Sequence, residues 1–156
     1  MPLPSYLISA SLVVCEKVLH EMDGVTSAIR IVDVFYVPPL PLGAVLPPGI
    51  TEENYTPLIQ AYGLLQVRAE IGHQEDHDLE FRLINTIGEM SVLSLVKGHF
   101  QPRVEGTPVG LTVNVQLNIA VKRFGTCFLC VYVDGEEITR APFTVIRQKP
   151  NVEPVI

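Results

Sequence analysis

The most regular hydrophobic pattern in the chain runs from residue 111 to residue 121. Small or polar residues alternate there with six apolar ones, which are Leu111, Val113, Val115, Leu117, Ile119 and Val121. Alternation with a period of two puts the apolar side chains on one face of a β-strand and the polar side chains on the other. We therefore predict a central strand here, with its six apolar residues mostly buried.

Two more apolar runs follow, from Thr126 to Val133 and from Pro142 to Val145, and Asp134-Gly135 lies between them. An Asp-Gly pair between apolar runs is a strong signal for a β-hairpin, in which glycine adopts the positive φ that other residues avoid. The three runs together predict a β-meander. The sequence leaves open whether the hairpin loop has two or four residues.

Similar alternation predicts five earlier strands, at residues 6–14, 26–37, 63–71, 79–83 and 90–96, with an edge strand at 99–101 as a further candidate. Residues 15–22 are expected to form a short helical turn, and the strands at 63–71 and 79–83 to form a hairpin. Antiparallel strands with one polar face need a second sheet over their apolar face. The predicted fold class is all-β, a two-sheet antiparallel β-sandwich of about eight strands, with a partly open β-barrel as the alternative. At this length we expect a single domain over residues 1–156.

Residues 38–57 interrupt the strand pattern, because five prolines precede Pro57 and proline cannot donate to a strand ladder. No charged residue occurs from position 36 to position 51. This proline-rich loop either presents a partner surface or folds back to plug one end of the sandwich. The residues predicted to bind another protein are Leu40, Leu42, Val45, Leu46 and Ile50.

Composition and charge limit the classes of partner. Hydrophobic residues make up 47% of the chain and charged residues 18%, which argues against disorder. The net charge is −6, and the eleven basic residues form no cluster. Such a surface repels phosphate groups, so we predict binding neither to nucleic acid nor to a membrane. We also expect no signal peptide and no transmembrane helix, because the N-terminus lacks a basic region and no apolar stretch approaches 18 residues.

The three cysteines are at positions 15, 127 and 130. An odd number without a regular framework predicts reduced thiols and a cytoplasmic location. Cys127 and Cys130 have the spacing of a CxxC motif. Residues three apart on a strand point to opposite faces, so we interpret these two cysteines as packing residues.

The densest set of potential metal ligands lies at residues 73–78, where His73, Asp76, His77 and Asp78 follow closely on one another, and His20 or His99 could approach. The simpler interpretation is a solvated polar connection, and we predict no metal and no other cofactor. Asp33 lies within an apolar run, where a buried carboxylate could act as an acid or base. No matching partner is visible and no hydrolase, metalloprotease or phosphate-binding motif occurs, so we predict no catalytic residue.

Several segments resemble a family of small uncharacterised bacterial proteins, a domain of unknown function. In that family an opening hydrophobic strand leads through a short turn to a second strand, and the chain ends in an aromatic-rich strand, a hairpin and a final strand. The matching segments are residues 9–16, Asp23-Gly24, residues 29–35, residues 132–136 and residues 142–145. The resemblance implies a β-sandwich, and no catalytic residue can be carried over from it. The chain departs from the family pattern at Thr26, where no lysine follows the glycine turn, and in the length of its proline-rich loop.

These observations predict a non-enzymatic cytoplasmic protein that binds another protein or a second copy of itself. One alternative is a small metal-binding protein or enzyme that uses residues 73–78. Another is a subunit of a larger bacterial or phage-derived assembly.

Overall fold

The computed structural model of the protein describes residues 2–51, 53–102 and 104–148, so the predicted domain limits at 1 and 156 lie outside the described residues. The described residues form ten β-strands and no helix. The strands are β1 (Leu7–His20), β2 (Thr26–Ile31), β3 (Val34–Val37), β4 (Leu58–Ala69), β5 (Asp76–Ile84), β6 (Met90–His99), β7 (Gln101–Pro102), β8 (Val109–Ala120), β9 (Gly125–Val133) and β10 (Glu136–Arg147). None of the described residues belongs to a helix with the length and apolar character needed to cross a membrane.

The strands form two five-stranded sheets, and this confirms the predicted all-β class with two packed sheets. The strand order is β2-β1-β4-β8-β7 in sheet A and β3-β10-β9-β5-β6 in sheet B. The pairing is antiparallel except between β3 and β10, which run parallel. The apolar faces of the two sheets enclose the core, whose largest fully buried side chains include Phe81, Phe100, Phe143, Leu65, Leu79, Leu117 and Leu129.

Two local predictions in the first forty residues are wrong. Residues 15–20 continue β1 instead of forming a helical turn, because they pair with β2 across the turn at Asp23-Gly24. The predicted strand at 26–37 is divided between the two sheets, since β2 belongs to sheet A and β3 to sheet B. At the division Arg30 has a φ of 53°, and Asp33 is exposed instead of buried. Asp33 therefore lacks the burial that would tune a catalytic carboxylate.

The connections between strands also differ from the prediction. β4 and β5 do not form a hairpin, because the polar segment between them crosses from sheet A to sheet B. The predicted meander of β8, β9 and β10 is also interrupted, because the chain crosses between the sheets from β8 to β9. Within it only β9 and β10 form a hairpin. Splitting of the second strand and the separate strand β7 raise the number of strands from about eight to ten.

β8 is not a central strand over most of its length. β7 pairs with it at Val109 and Gly110, which leaves the rest of that edge without a neighbouring strand among the described residues. The predicted inward face is correct. Of its six residues Val115, Leu117, Ile119 and Val121 are buried, and Leu111 and Val113 are half-buried.

The Asp134-Gly135 hairpin has a two-residue loop, because Val133 and Glu136 are paired directly. The φ angles are 49° at Asp134 and 87° at Gly135. Two consecutive positive φ values define the type I′ turn, which matches the twist of the flanking strands. The structure thus settles the loop length that the sequence left open.

Candidate interaction surface

The proline-rich loop is held by hydrogen-bonded turns. In the first, the Ala44 N–H donates to the Pro41 carbonyl at 3.0 Å, and in the second the Ile50 N–H donates to the Pro47 carbonyl at 3.0 Å. The third residue of each turn is a glycine with positive φ, at 78° in the first and 83° in the second. This is the signature of type II turns, which glycine adopts without strain.

A third turn fixes the end of the loop. The Tyr55 N–H donates to the Thr51 carbonyl at 2.9 Å, and the Asn54 side-chain amide donates to the Gly49 carbonyl at 3.0 Å. At the base of the loop the Gln148 N–H donates to the carbonyl of Val37, whose side chain is buried. The loop is therefore tied to the body at its base and ordered internally by its own turns.

The five predicted protein-binding residues divide into two groups. Leu42 and Val45 are exposed to 106% and 97% of their reference areas, and Ile50 is also exposed. Leu40 and Leu46 are half-buried. If the loop closed one end of the sandwich with these residues, all five side chains would be buried. Leu42, Val45 and Ile50 are exposed, so they do not close it.

An apolar cleft of about 370 Å³ lies where the loop joins the sheets. Its lining includes Tyr36 and Leu58, both about three-fifths exposed, together with Tyr55 and the neighbouring prolines 38, 39, 41 and 57. Aromatic and aliphatic linings are typical of binding clefts. Sequence reasoning missed these three residues, because Tyr36 and Leu58 lie on the strands that flank the loop and Tyr55 lies in its last turn, away from its leucines and valines.

A smaller recess of about 110 Å³ adjoins this cleft and carries a positive charge. The guanidinium of Arg147 lies 5.2 Å from the centroid of the Phe124 ring, and both residues line the recess. Cation–π contacts of this kind hold an arginine against an aromatic face. An arginine thus lies at the rim of the loop, whose residues from 38 to 51 carry no charge.

The histidines of the second candidate region bind to separate carboxylates. Nδ1 of His77 lies 2.6 Å from Asp134, while Nδ1 of His99 lies 2.8 Å from Asp76. His73 lies 3.7 Å from Glu75, its neighbour in the same segment. The potential ligands His73, Asp76, His77 and Asp78 do not converge, and His20 contacts Thr26 and Asn114 instead. Within the described residues no three His, Cys, Asp or Glu side chains are grouped so that they could hold a metal ion.

His77 and Asp134 link the start of β5 to the β9–β10 turn. The His77 ring is buried and stacks on Tyr6 at 5.5 Å and on Phe100 at 4.7 Å. Asp134 also accepts a hydrogen bond from the Asp78 N–H at 3.0 Å. Partial burial acts to raise the pKa of Asp134, but the hydrogen bonds from His77 and Asp78 outweigh it, so this pKa lies below its usual value. We interpret the pair as a structural contact between distant segments.

This pair predicts that the stability of the protein depends on pH differently from that of its Asp134→Asn variant. Asparagine tolerates the turn conformation and keeps an acceptor oxygen, but it cannot ionise. Because the folded-state pKa of Asp134 is depressed, its contribution to stability is present above the unfolded pKa of about 3.9 and is lost as the pH falls through the folded-state value. Urea unfolding below about pH 4 should therefore show a steeper loss of stability for the wild type than for the variant. If the free energy of unfolding fell with pH equally in both proteins, the ionised Asp134 carboxylate would not stabilise the fold as described.

The three cysteines are free and buried. Cys127 faces the core, while Cys130 lies on the opposite face of β9 near Glu137 and Arg140, as the strand spacing predicts. Burial raises the pKa of each of these thiols, and the same holds for Cys15. Since the thiolate is the reactive form, none of the three sites favours nucleophilic or redox chemistry.

Comparisons with known proteins show what the chain is similar to. No model of a known protein family matches it, and no curated protein matches its sequence significantly. The resemblance to a bacterial family of unknown function therefore stays a prediction.

Among solved structures, a β-glucosidase from Listeria innocua in complex with glucose aligns over 91% of this chain and 16% of its own, at 11% identity and a TM-score of 0.48. A β-glucosidase from Thermotoga neapolitana aligns over 58% of this chain and 16% of its own, at 9% identity and a TM-score of 0.44. A DNA-bound alkylpurine DNA glycosylase from Pseudomonas fluorescens aligns over 56% of this chain and 26% of its own, at 10% identity and a TM-score of 0.42. The chain thus spans between a sixth and about a quarter of these proteins, and likenesses this distant assign it no activity or ligand.

Proposed function

We propose that this protein is a non-enzymatic cytoplasmic interaction or assembly module that binds a protein partner through its proline-rich loop. The observation that carries the proposal is the full exposure of Leu42 and Val45 on a loop that its own turns keep ordered. Burying a leucine or valine side chain in an interface contributes roughly 1.5–3 kcal/mol. A loop that is already ordered loses little conformational entropy on binding, so more of this energy is available for affinity.

Further features support the same proposal. The cleft of about 370 Å³ beside the loop would receive an apolar side chain of the partner. Arg147 at its rim favours a partner with an acidic or carbonyl group at that position. Three buried, unpaired cysteines are compatible with a reducing compartment, and the sequence resemblance suggests a bacterial protein.

The proposal predicts that Leu42→Ser combined with Val45→Ser weakens partner capture strongly without changing the fold. Both side chains are exposed, so the melting temperature should stay that of the wild type, while affinity for the partner should fall at least about tenfold. The measurement is quantitative capture from the native lysate with immobilised wild type and variant, together with a thermal melt.

The matched control is Met22→Ser combined with Val25→Ser. These two apolar residues are also exposed, but they lie at the β1–β2 turn. The control should capture the same partner as the wild type. A loop variant that melts normally and retains every partner of the wild type would refute the proposal.

A further inference from the structure

The edge strands of the two sheets differ in how well they are protected against pairing with a strand of another molecule. β2 has six residues and β3 four, which is short for a strand that could pair with another molecule. β6 has ten residues, but its pairing with β5 shifts register between Phe81 and Arg82, and Lys97 lies on it. Short length, irregularity and lysine are the devices by which proteins prevent edge-to-edge association.

β8 has none of these devices. It pairs with β4 over twelve consecutive residues without a register shift, and no charged residue or proline occurs between Val109 and Val121. β7 covers this edge at its first two residues. From Thr112 onward the backbone groups on the open side of β8 have no neighbouring strand among the described residues.

There is space beside the second half of this edge. A cleft of about 760 Å³ separates the end of β8, near Asn118 and Val121, from Met90 and Leu93 of β6. The two sheets come together closely at the other end, where Gly98 of β6 contacts Leu111 of β8. At the Asn118 end of the edge an added strand therefore meets open space and not sheet B.

We propose that β8 pairs antiparallel with β8 of a second copy of this chain, about a two-fold axis perpendicular to sheet A. Such an axis places odd-numbered residues of one copy opposite odd-numbered residues of the other, and even-numbered residues opposite even-numbered ones. The apolar faces of both copies therefore lie on the same side of one continuous sheet. If Val115 lies on the axis, Asn114 is opposite Gln116 and Thr112 is opposite Asn118. Each opposed pair is uncharged and can hydrogen-bond, so self-pairing meets no like-charge repulsion. A second copy is thus the occupant that this strand fits.

The proposal is independent of the proline-rich loop, and the test separates the two surfaces. Sedimentation velocity of the full chain over a concentration series is expected to show a dimer of the 17.2 kDa chain. Combining Asn114→Lys with Gln116→Lys puts a lysine of each copy directly opposite a lysine of the other, and the dimer dissociation constant should rise at least about tenfold. Gln66→Lys is the matched control, because this exposed residue lies on the same sheet but between β1 and β8. It should dimerise like the wild type.

Two results would overturn the proposal: a wild type that stays monomeric at every concentration, or an edge variant that dimerises as tightly as the wild type. The loop variant carrying Leu42→Ser and Val45→Ser should still dimerise. If it becomes monomeric while the edge variant does not, the loop forms the dimer and β8 does not. Hydrogen exchange of the wild type is a second measurement that needs no variant. The amides among residues 112–118 that point away from β4 should be protected in concentrated protein and exposed on dilution, and equal protection in both would refute the pairing.

Discussion

Leu117→Ala is expected to lower the free energy of unfolding by about 2–5 kcal/mol. Leu117 lies on the inward face of β8 opposite Ala61 and has no exposed surface. Truncation removes buried methyl groups, and the small residue on the neighbouring strand cannot fill the cavity that remains. Urea denaturation would measure the loss directly, with the slope of the transition as a check on two-state behaviour.

The control is the adjacent substitution Asn118→Ala. Asn118 is exposed on the outward face of the same strand, so its truncation should change the stability by no more than about 0.5 kcal/mol. Equal losses at the two positions would mean that the inward and outward faces of β8 have been assigned wrongly.

Gly98→Val is the second substitution with a large expected effect, a loss of about 1–3 kcal/mol. A Cβ atom at Gly98 would overlap Leu111 of β8 and come within 2.8 Å of Cδ1 of Leu79. Leu79 has no exposed surface, so it cannot move away without displacing other core residues. The glycine thus permits the close approach of β6 and β8.

Lys97→Val tests whether valine itself is tolerated at this end of β6. The Lys97 side chain points to solvent, so the free energy of unfolding of the variant should stay within about 0.5 kcal/mol of the wild-type value. If Gly98→Val melted like the wild type, the two sheets would be farther apart here than the structure places them.

Strands and their buried faces could be predicted from the sequence because both depend on a local period. The alternation at Leu65, Val67 and Ala69 correctly predicts the core-facing side of β4, and Leu79 and Phe81 do the same for β5. The hairpin at Asp134-Gly135 is local as well, since the turn conformation depends on the two residues themselves.

The sheet that each strand joins could not be predicted in the same way. A polar connection such as residues 70–75 can either reverse the chain within a sheet or carry it across the core. Packing between distant strands decides which occurs. The parallel pairing of β3 with β10 is the clearest case, because these strands lie more than a hundred residues apart.

The candidate sites show the same limit. The apolar character of the proline-rich loop, with no charge from residue 38 to residue 51, is visible in the sequence. The exposure of Leu42 beside a half-buried Leu40 depends on turn geometry and on the strands below. The partner of His77 is Asp134, 57 residues away, so the sequence could offer His77 only as a metal ligand in the alternative interpretation and could not show its contact with this carboxylate.

Photo-crosslinking from position 42 tests the interaction claim most directly. A photoreactive amino acid replaces Leu42 in one sample and Met22 in another, and both side chains are fully exposed in the free protein. Irradiation in the native cell should yield one defined protein adduct from position 42 and none of that mass from position 22. Identical adduct patterns from the two positions, or no adduct from position 42, would contradict the assignment of the proline-rich loop as the binding surface.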